Sequence, residues 1–74
     1  MPDAFPLRNR LKVLRAQKDW TQADLAEQVG VTRKTINTIE RAIFTPSTLL
    51  ALKLAHAFET TVEEIFWIDE EHST

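Results

Sequence analysis

A short run of polar side chains near the middle of the chain has the residue types that bind nucleic acids. Around it, Val31, Ile36 and Ile39 recur at the spacing of one helical face. The other positions of this helix and its end donate hydrogen bonds or carry positive charge: Arg33, Lys34, Thr35, Asn37, Thr38 and Arg41. Arginine can hold guanine by two parallel hydrogen bonds, asparagine can hold adenine in the same way, and threonine offers a methyl group to thymine. A helix of this composition can read a nucleic-acid groove.

The residues just before this helix predict how it is positioned. Apolar side chains repeat there at helical spacing, at Leu25, Ala26 and Val29. The pattern therefore predicts two short helices that meet at a tight turn. Gly30 can adopt the left-handed backbone conformation that ends the first of these helices. Thr21 and Thr32 each precede a periodic run, where their hydroxyl groups can accept hydrogen bonds from the free amides of the first turn.

This two-helix segment, TQADLAEQVGVTRKTINTIE, resembles the helix-turn-helix of the phage repressor and Cro family (XRE type), which is widespread among small bacterial transcriptional regulators. The resemblance runs from about Leu7 to Phe66, because LKVLR precedes the segment and TPS, LKLA and VEEIF follow it in the family's order and spacing. It implies an all-α fold, a compact five-helix repressor-like domain that binds DNA. We place this domain at residues 7–68, with a flexible N-terminal arm at residues 1–6 and an acidic tail at residues 69–74.

The resemblance also implies roles for the polar side chains. In this docking mode the N-terminal part of the second helix enters the major groove, so its outward side chains meet base edges. The expected base contacts are Arg33, Lys34, Asn37 and Thr38. The expected phosphate contacts are Gln22, Thr35, Arg41 and Arg10. The alternative is that these residues form only a solvated surface, and for Arg10 both readings stay open.

Two further expectations come from the same resemblance. In the family, a glutamate in the place of Glu40 pairs with an arginine in the place of Arg15, and a glutamine in the place of Gln22 braces the reading helix. The chain departs from the family at two turns, where Ala42 and Glu59 replace glycine at left-handed positions. A side chain costs about 1 kcal/mol or more in that conformation, so either the turns are rebuilt or the strain is tolerated.

Charge is distributed unevenly along the chain. The formal net charge is −2, which by itself argues against a DNA ligand. Residues 8–41, however, carry eight basic and four acidic side chains, a net charge of +4, whereas residues 42–74 carry one basic and six acidic side chains, a net charge of −5. Attraction to phosphate is screened over roughly 8 to 10 Å at physiological salt, so the basic half can face DNA while the acidic half faces away.

The flanking sequence predicts the other helices. Pro6 suits the start of a first helix, whose buried stripe we expect at Leu7, Leu11 and Leu14. Trp20 is expected to cover the core. Thr45 or Ser47 caps a fourth helix, whose inward face is predicted at Ala51, Leu54, Ala55 and Phe58. A capping box from Thr61 to Glu64 opens a fifth.

Several apolar residues fall outside the predicted core. Leu49 and Leu52 lie on the outer face of the fourth helix, and Trp67 and Ile68 end the domain. Exposed apolar groups of this size favour contact with another protein surface, so we expect these four residues to contribute to a homodimer. For residues 67–68 two arrangements stay open, a short strand that pairs with its twin or packing back onto the same core.

These observations predict a sequence-specific regulator of transcription, a repressor that binds duplex DNA as a homodimer on a palindromic operator. The alternative is a protein-binding adaptor or antitoxin component with the same fold. An enzyme is not expected, because the sequence has no histidine paired with a nucleophile, no metal-ligand spacing and no phosphate-binding glycine loop. Neither a cofactor nor a metal is expected. The absence of a signal peptide and of an apolar run long enough to span a bilayer predicts a cytoplasmic, nucleoid-associated protein.

Overall fold

Five short helices and one small sheet make up residues 7–69, the part of the chain that the computed structural model describes. The helices are α1 (Leu11–Gln17), α2 (Gln22–Val29), α3 (Arg33–Glu40), α4 (Thr48–Ala57) and α5 (Val62–Ile65). Strands β1 (Leu7–Asn9) and β2 (Phe66–Ile68) form the sheet. The predicted five-helix, mainly helical domain is confirmed, and the sheet is a minor addition. The expected N-terminal arm lies outside the described residues, as does the expected acidic tail after Asp69.

Hydroxyl side chains begin four of the five helices. The Oγ atoms of Thr21, Thr32, Ser47 and Thr61 each accept a hydrogen bond from the backbone amide three residues ahead. At α2 the Asp24 carboxylate also accepts from the Thr21 amide, at 2.9 Å, which completes a capping box. At α5 the Glu64 amide donates to Thr61, but the return bond of the predicted capping box is not made. The caps set where each helix begins, so they also set which side chains face inward.

The core lies where the five helices meet. Six large side chains within the described residues are almost completely buried: Leu11, Leu25, Ile36, Ile39, Leu54 and Ile65. Each contributes about 1.5 to 3 kcal/mol through removal of its apolar surface from water. The predicted inward face of α4 is buried as expected, together with Leu50. The Trp20 ring packs against Phe58 with centroids 5.4 Å apart, so this tryptophan does cover the core.

The prediction that α1 begins near Pro6 was wrong. Residues 7–9 instead form β1, which pairs antiparallel with β2 in the register Leu7↔Ile68, Arg8↔Trp67 and Asn9↔Phe66. The helix begins only at Leu11, whose amide donates to Asn9 Oδ1 at 3.1 Å. The spacing of Leu7, Leu11 and Leu14 favours a continuous helix. Helical periodicity cannot reveal the competing strand β2, because β2 lies about sixty residues further along the sequence. The Arg8 guanidinium also pairs with Asp69 at 3.1 Å, which ties the two ends of the domain together.

Among residues 7–69, three residues with side chains adopt the left-handed backbone conformation. Ala42 has a φ of 62° and Glu59 a φ of 57°, so the two turns keep the shape that glycine favours and the strain is tolerated. Asp19, with a φ of 58°, is a third such position that the sequence did not suggest. Gly30, with a φ of 74°, ends α2 as predicted. The turn after α3 is held by a 2.9 Å hydrogen bond from the Ile43 amide to the Thr38 carbonyl.

Candidate nucleic-acid interface

Helices α2 and α3 form a helix-turn-helix with one apolar side buried. Ile36 and Ile39 of α3 are 0% and 1% exposed, which fixes the rotation of this helix about its own axis. The remaining positions must then face outward or lie along its edges. The Thr32 hydroxyl caps α3 by accepting from the Thr35 amide at 3.2 Å, so the helix presents a well-defined N-terminal turn.

The predicted base-contacting residues differ in how far they project. Arg33 and Lys34 are exposed, whereas Asn37 and Thr38 are half-buried. Arg33, Lys34 and Asn37 line one open depression together with Gln22 at the start of α2. The Thr38 hydroxyl donates to the Thr35 carbonyl at 2.9 Å. Thr38 can therefore offer a methyl group to a base more readily than a second hydrogen bond.

Arg15 and Glu40 form a two-pronged ion pair behind the helix-turn-helix. Arg15 Nε lies 2.5 Å from Glu40 Oε2, and Arg15 Nη2 lies 3.0 Å from Glu40 Oε1. Their side chains are 14% and 7% exposed, so solvent screens the pair only weakly. The hydrogen bond to Glu40 raises the pKa of Arg15 further above its ordinary value, despite the opposing effect of burial. Arg15 Nη1 also donates to the Trp20 carbonyl at 3.0 Å, so one guanidinium joins α1, α3 and the loop before α2.

Gln22 extends this network toward the surface. Its Nε2 donates to Glu40 Oε1 at 3.1 Å, and its Oε1 accepts from Asn37 Nδ2 at 3.4 Å. The side chain thus touches both the end and the middle of α3. Sequence reasoning expected Gln22 to brace α3 but missed its contact with Asn37. No feature of the sequence signals that contact, because fifteen residues and a turn separate the two amides.

The two arginines expected at phosphates lie at the margins of the site. Arg41 is exposed at the C-terminal cap of α3. Arg10 is exposed just before α1, and its guanidinium lies 5.3 Å from the centre of the Trp67 ring. That distance is typical of a cation–π contact, which leaves the charge of Arg10 accessible to solvent. Thr35 is half-buried in the first turn of α3, where its hydroxyl lies 3.1 Å from that of Thr32.

The residues expected at a dimer contact remain exposed in the single chain. Leu49 and Leu52 of α4 are 63% and 55% exposed. Strand β2 does form, but its partner is β1 of the same chain rather than a twin. Its side chains Trp67 and Ile68 are nevertheless 42% and 51% exposed, so they do not pack back into the core.

The described residues contain neither a cluster of metal ligands nor a membrane-spanning helix. Between residues 7 and 69, the His, Asp and Glu side chains nowhere form a group of three that could hold a metal ion. In the same part of the chain, no helix has both the length and the apolar character of a membrane span.

The geometry is that of a helix-turn-helix DNA-binding protein, and comparison with known sequences identifies the family. Residues 11–65 match the helix-turn-helix family HTH_3, and the chain belongs to it. It is 46% identical over 66 residues to the uncharacterized HTH-type transcriptional regulator YgzD of Bacillus subtilis, covering 89% of this chain and 100% of that protein. It is 45% identical over 65 residues to an uncharacterized HTH-type transcriptional regulator of Archaeoglobus fulgidus, covering 88% and 92%.

A solved structure has the same fold. The restriction-modification controller protein C.AhdI from Aeromonas hydrophila superposes with a TM-score of 0.68 at 33% identity, covering 73% of this chain and 82% of that one. The predicted resemblance to the phage repressor and Cro type is confirmed: the protein is a helix-turn-helix regulator of transcription that binds DNA. The family is one of regulators rather than enzymes, as expected. Its relatives include archaeal proteins, so the type is not restricted to bacteria.

Proposed function

We propose that this protein is a sequence-specific repressor that reads the major groove of duplex DNA with α3. One observation carries the proposal: Arg33, Lys34 and Asn37 share an open face with Gln22 while the opposite side of α3 is buried. Arg33 can bind guanine O6 and N7, and Lys34 can reach a base or a phosphate. The N-terminus of α3 also favours pointing toward the DNA, because its free amides attract phosphate.

Phosphate contacts position the reading helix. Gln22 opens α2, Thr35 lies in the first turn of α3, Arg41 caps the end of α3, and Arg10 immediately precedes α1. We assign these four residues to the DNA backbone, because contacts from several elements fix the register without carrying sequence information. The net charge of +4 on residues 8–41 supports this assignment.

We also propose that the protein acts as a homodimer. Leu49 and Leu52 on α4, with Trp67 and Ile68 at the far end of the chain, offer apolar surface that a second copy would cover. Two-fold symmetry would place two copies of α3 about 34 to 36 Å apart, one turn of DNA, and so require a palindromic operator. A dimer seated on nucleoid DNA at a promoter would block access to it.

Selection of bound sequences from a random duplex pool tests this function. An inverted repeat with half-sites about one helical turn apart is the expected product. Arg33→Ala should then weaken binding to that operator by about 1 to 3 kcal/mol and relax preference at one base position. Equal weakening on every sequence would instead assign Arg33 to phosphate, and recovery of no preferred sequence would overturn the proposal.

The exposed apolar residues also favour a second candidate, a protein-binding adaptor or antitoxin component. Ile43 and Phe44, which are 63% and 49% exposed, extend the apolar surface beside Leu49 and Leu52. A pull-down that recovers one protein in stoichiometric amount, with no retention of the chain on DNA at low salt, would favour this alternative. Retention on DNA with no such partner would favour the repressor.

A further inference from the structure

We propose that Gln22 is a positioning residue that fixes the orientation of the Asn37 amide, and that Asn37 thereby selects a base with an exocyclic amino group. In the major groove those bases are adenine and cytosine, because the guanine N2 amino group lies in the minor groove. The inference rests on the proposed function, because it requires α3 to enter the major groove. It adds a specificity rule for one operator position and traces that rule to a buried carboxylate.

The first step is the charge on Glu40. An ionised carboxylate can only accept hydrogen bonds. Glu40 forms an ion pair with Arg15 through two hydrogen bonds, and its side chain is only 7% exposed. Gln22 must therefore turn its amino group, not its carbonyl, toward Glu40, as the 3.1 Å contact from Nε2 to Oε1 requires. The ion pair therefore determines which of its two possible orientations the Gln22 side-chain amide adopts.

The second step follows from the first. With its amino group facing Glu40, Gln22 points its carbonyl oxygen at α3, 3.4 Å from Asn37 Nδ2. If the Asn37 amide were flipped, two carbonyl oxygens would face each other. Asn37 therefore keeps its amino group toward Gln22: Asn37 donates to Gln22, Gln22 donates to Glu40, and Arg15 also donates to Glu40.

The third step concerns the atom left over. Asn37 Oδ1 accepts no hydrogen bond from any residue between 7 and 69, while its amino group retains a second proton. Adenine N6 and cytosine N4 present donors to such an acceptor, whereas guanine and thymine could accept only the remaining amide proton and would leave Asn37 Oδ1 without a donor. Adenine also offers N7 to the second amide proton, so it should be preferred over cytosine. Held in this way, the amide loses less rotational freedom on binding than an unrestrained side chain would, which sharpens the preference.

The test uses Gln22→Met, which keeps the length of the side chain but removes its amide. The operator position read by Asn37 is first identified as the one whose preference disappears in Asn37→Ala. Affinity is then measured on four duplexes that differ only at this position. The wild-type protein should favour adenine over guanine and thymine on the order of tenfold, and Gln22→Met should reduce this ratio to about threefold or less. In the Asn37→Ala background, Gln22→Met should leave the ratio unchanged.

Two controls separate positioning from general weakening. We call the orientation of the Asn37 amide by Gln22 the relay. Loss of a phosphate contact by Gln22 would lower affinity equally on all four duplexes, so only the ratio of affinities between bases reports on the relay. Gln28→Met, a matched change at an exposed position of the same helix, should leave the ratio intact. In the free protein, Gln22→Met should also move the NMR resonances of the Asn37 side-chain amide, whereas Gln28→Met should not.

Three results would overturn the inference. One is a preference for guanine or thymine at the position that Asn37 reads, and another is an unchanged base ratio in Gln22→Met. The third is an Asn37 amide resonance that does not respond to Gln22→Met. If the random-pool selection yields a preferred operator but any of these results is obtained, only the relay is wrong. If it yields no preferred operator, the proposed function and the relay both fail.

Discussion

At the scale of single residues, the Glu40 carboxylate accepts three hydrogen bonds from two other residues near the interface. Its two carboxylate oxygens accept from Arg15 and Gln22, and these bonds join α1 and α2 to the end of α3. Because the pair is largely buried, loss of one member should destabilise the protein strongly, even though the intact pair adds little net stability. A charge left alone in a poorly hydrated place is costly, because neither water nor a partner compensates it.

Glu40→Ala should therefore lower the free energy of unfolding by about 3 to 5 kcal/mol, since Arg15 would remain at 14% exposure without its carboxylate partner. Urea denaturation measures the change. Glu27→Ala, which removes an exposed carboxylate from α2, is the control and should change stability by no more than about 0.5 kcal/mol. Equal effects of the two substitutions would show that the ion pair is no more important than a surface charge.

At the scale of elements, the turns decide where the helices point, and two of them are built without glycine. Ala42 follows α3 and Glu59 follows α4, each with a positive φ. The amides beyond them still bond to helix carbonyls: the Ile43 amide to Thr38 and the Thr60 amide to Ala55, both at 2.9 Å. The hydrogen bonds of the turns outweigh the steric cost of a Cβ, so the helices keep their directions.

Ala42→Gly should stabilise the protein, because glycine adopts this backbone conformation without the steric cost that alanine meets. We expect a gain of about 1 kcal/mol, reduced by the greater flexibility of glycine in the unfolded chain. Thermal unfolding should show an increase in Tm of up to about 4 to 8 °C for a domain of this size. Ala16→Gly, at an exposed position within α1, should have the opposite sign. A lower Tm for Ala42→Gly would mean that the turn is not strained.

At the scale of the whole molecule, most of the positive charge lies apart in the sequence from most of the exposed apolar side chains, although Arg10 contacts Trp67. The basic residues accompany α1 to α3, whereas the acidic residues concentrate in the second half of the sequence. Exposed apolar side chains accumulate from Ile43 to Leu52 and at Trp67 and Ile68. This division suits a protein that presents one surface to DNA and another to a second copy.

Charge on the DNA-binding side should control affinity through counterion release. Operator binding by the wild-type protein should weaken steeply with salt, with a log-log slope of about −0.9 for each phosphate neutralised. Arg41→Ala should make that slope shallower by about 1 and weaken binding about equally on all sequences. Lys53→Ala, an exposed cation on α4, should leave the slope unchanged. A sequence-dependent effect of Arg41→Ala would contradict a phosphate contact.

The apolar surface should control association. Leu52→Lys would place a charge in the proposed contact between copies, so sedimentation should show a monomer where the wild-type protein is a dimer. Val13→Lys is a matched control, because Val13 on α1 is also 55% exposed but lies outside the proposed contact. A dimer that persists in Leu52→Lys would place the interface elsewhere, and dissociation by both variants would indicate a nonspecific effect.

The sequence by itself determined the helices and their inward faces, because apolar periodicity, hydroxyl caps and Gly30 act over a few residues and leave local patterns. The left-handed turns at Ala42 and Glu59 could also be foreseen, although whether their strain would be tolerated could not. The sheet between β1 and β2 was decided only by the tertiary structure, because strand pairing depends on residues about sixty positions apart. The same holds for the contact between Gln22 and Asn37: it exists only because packing of Ile36 and Ile39 sets the rotation of α3 against α2.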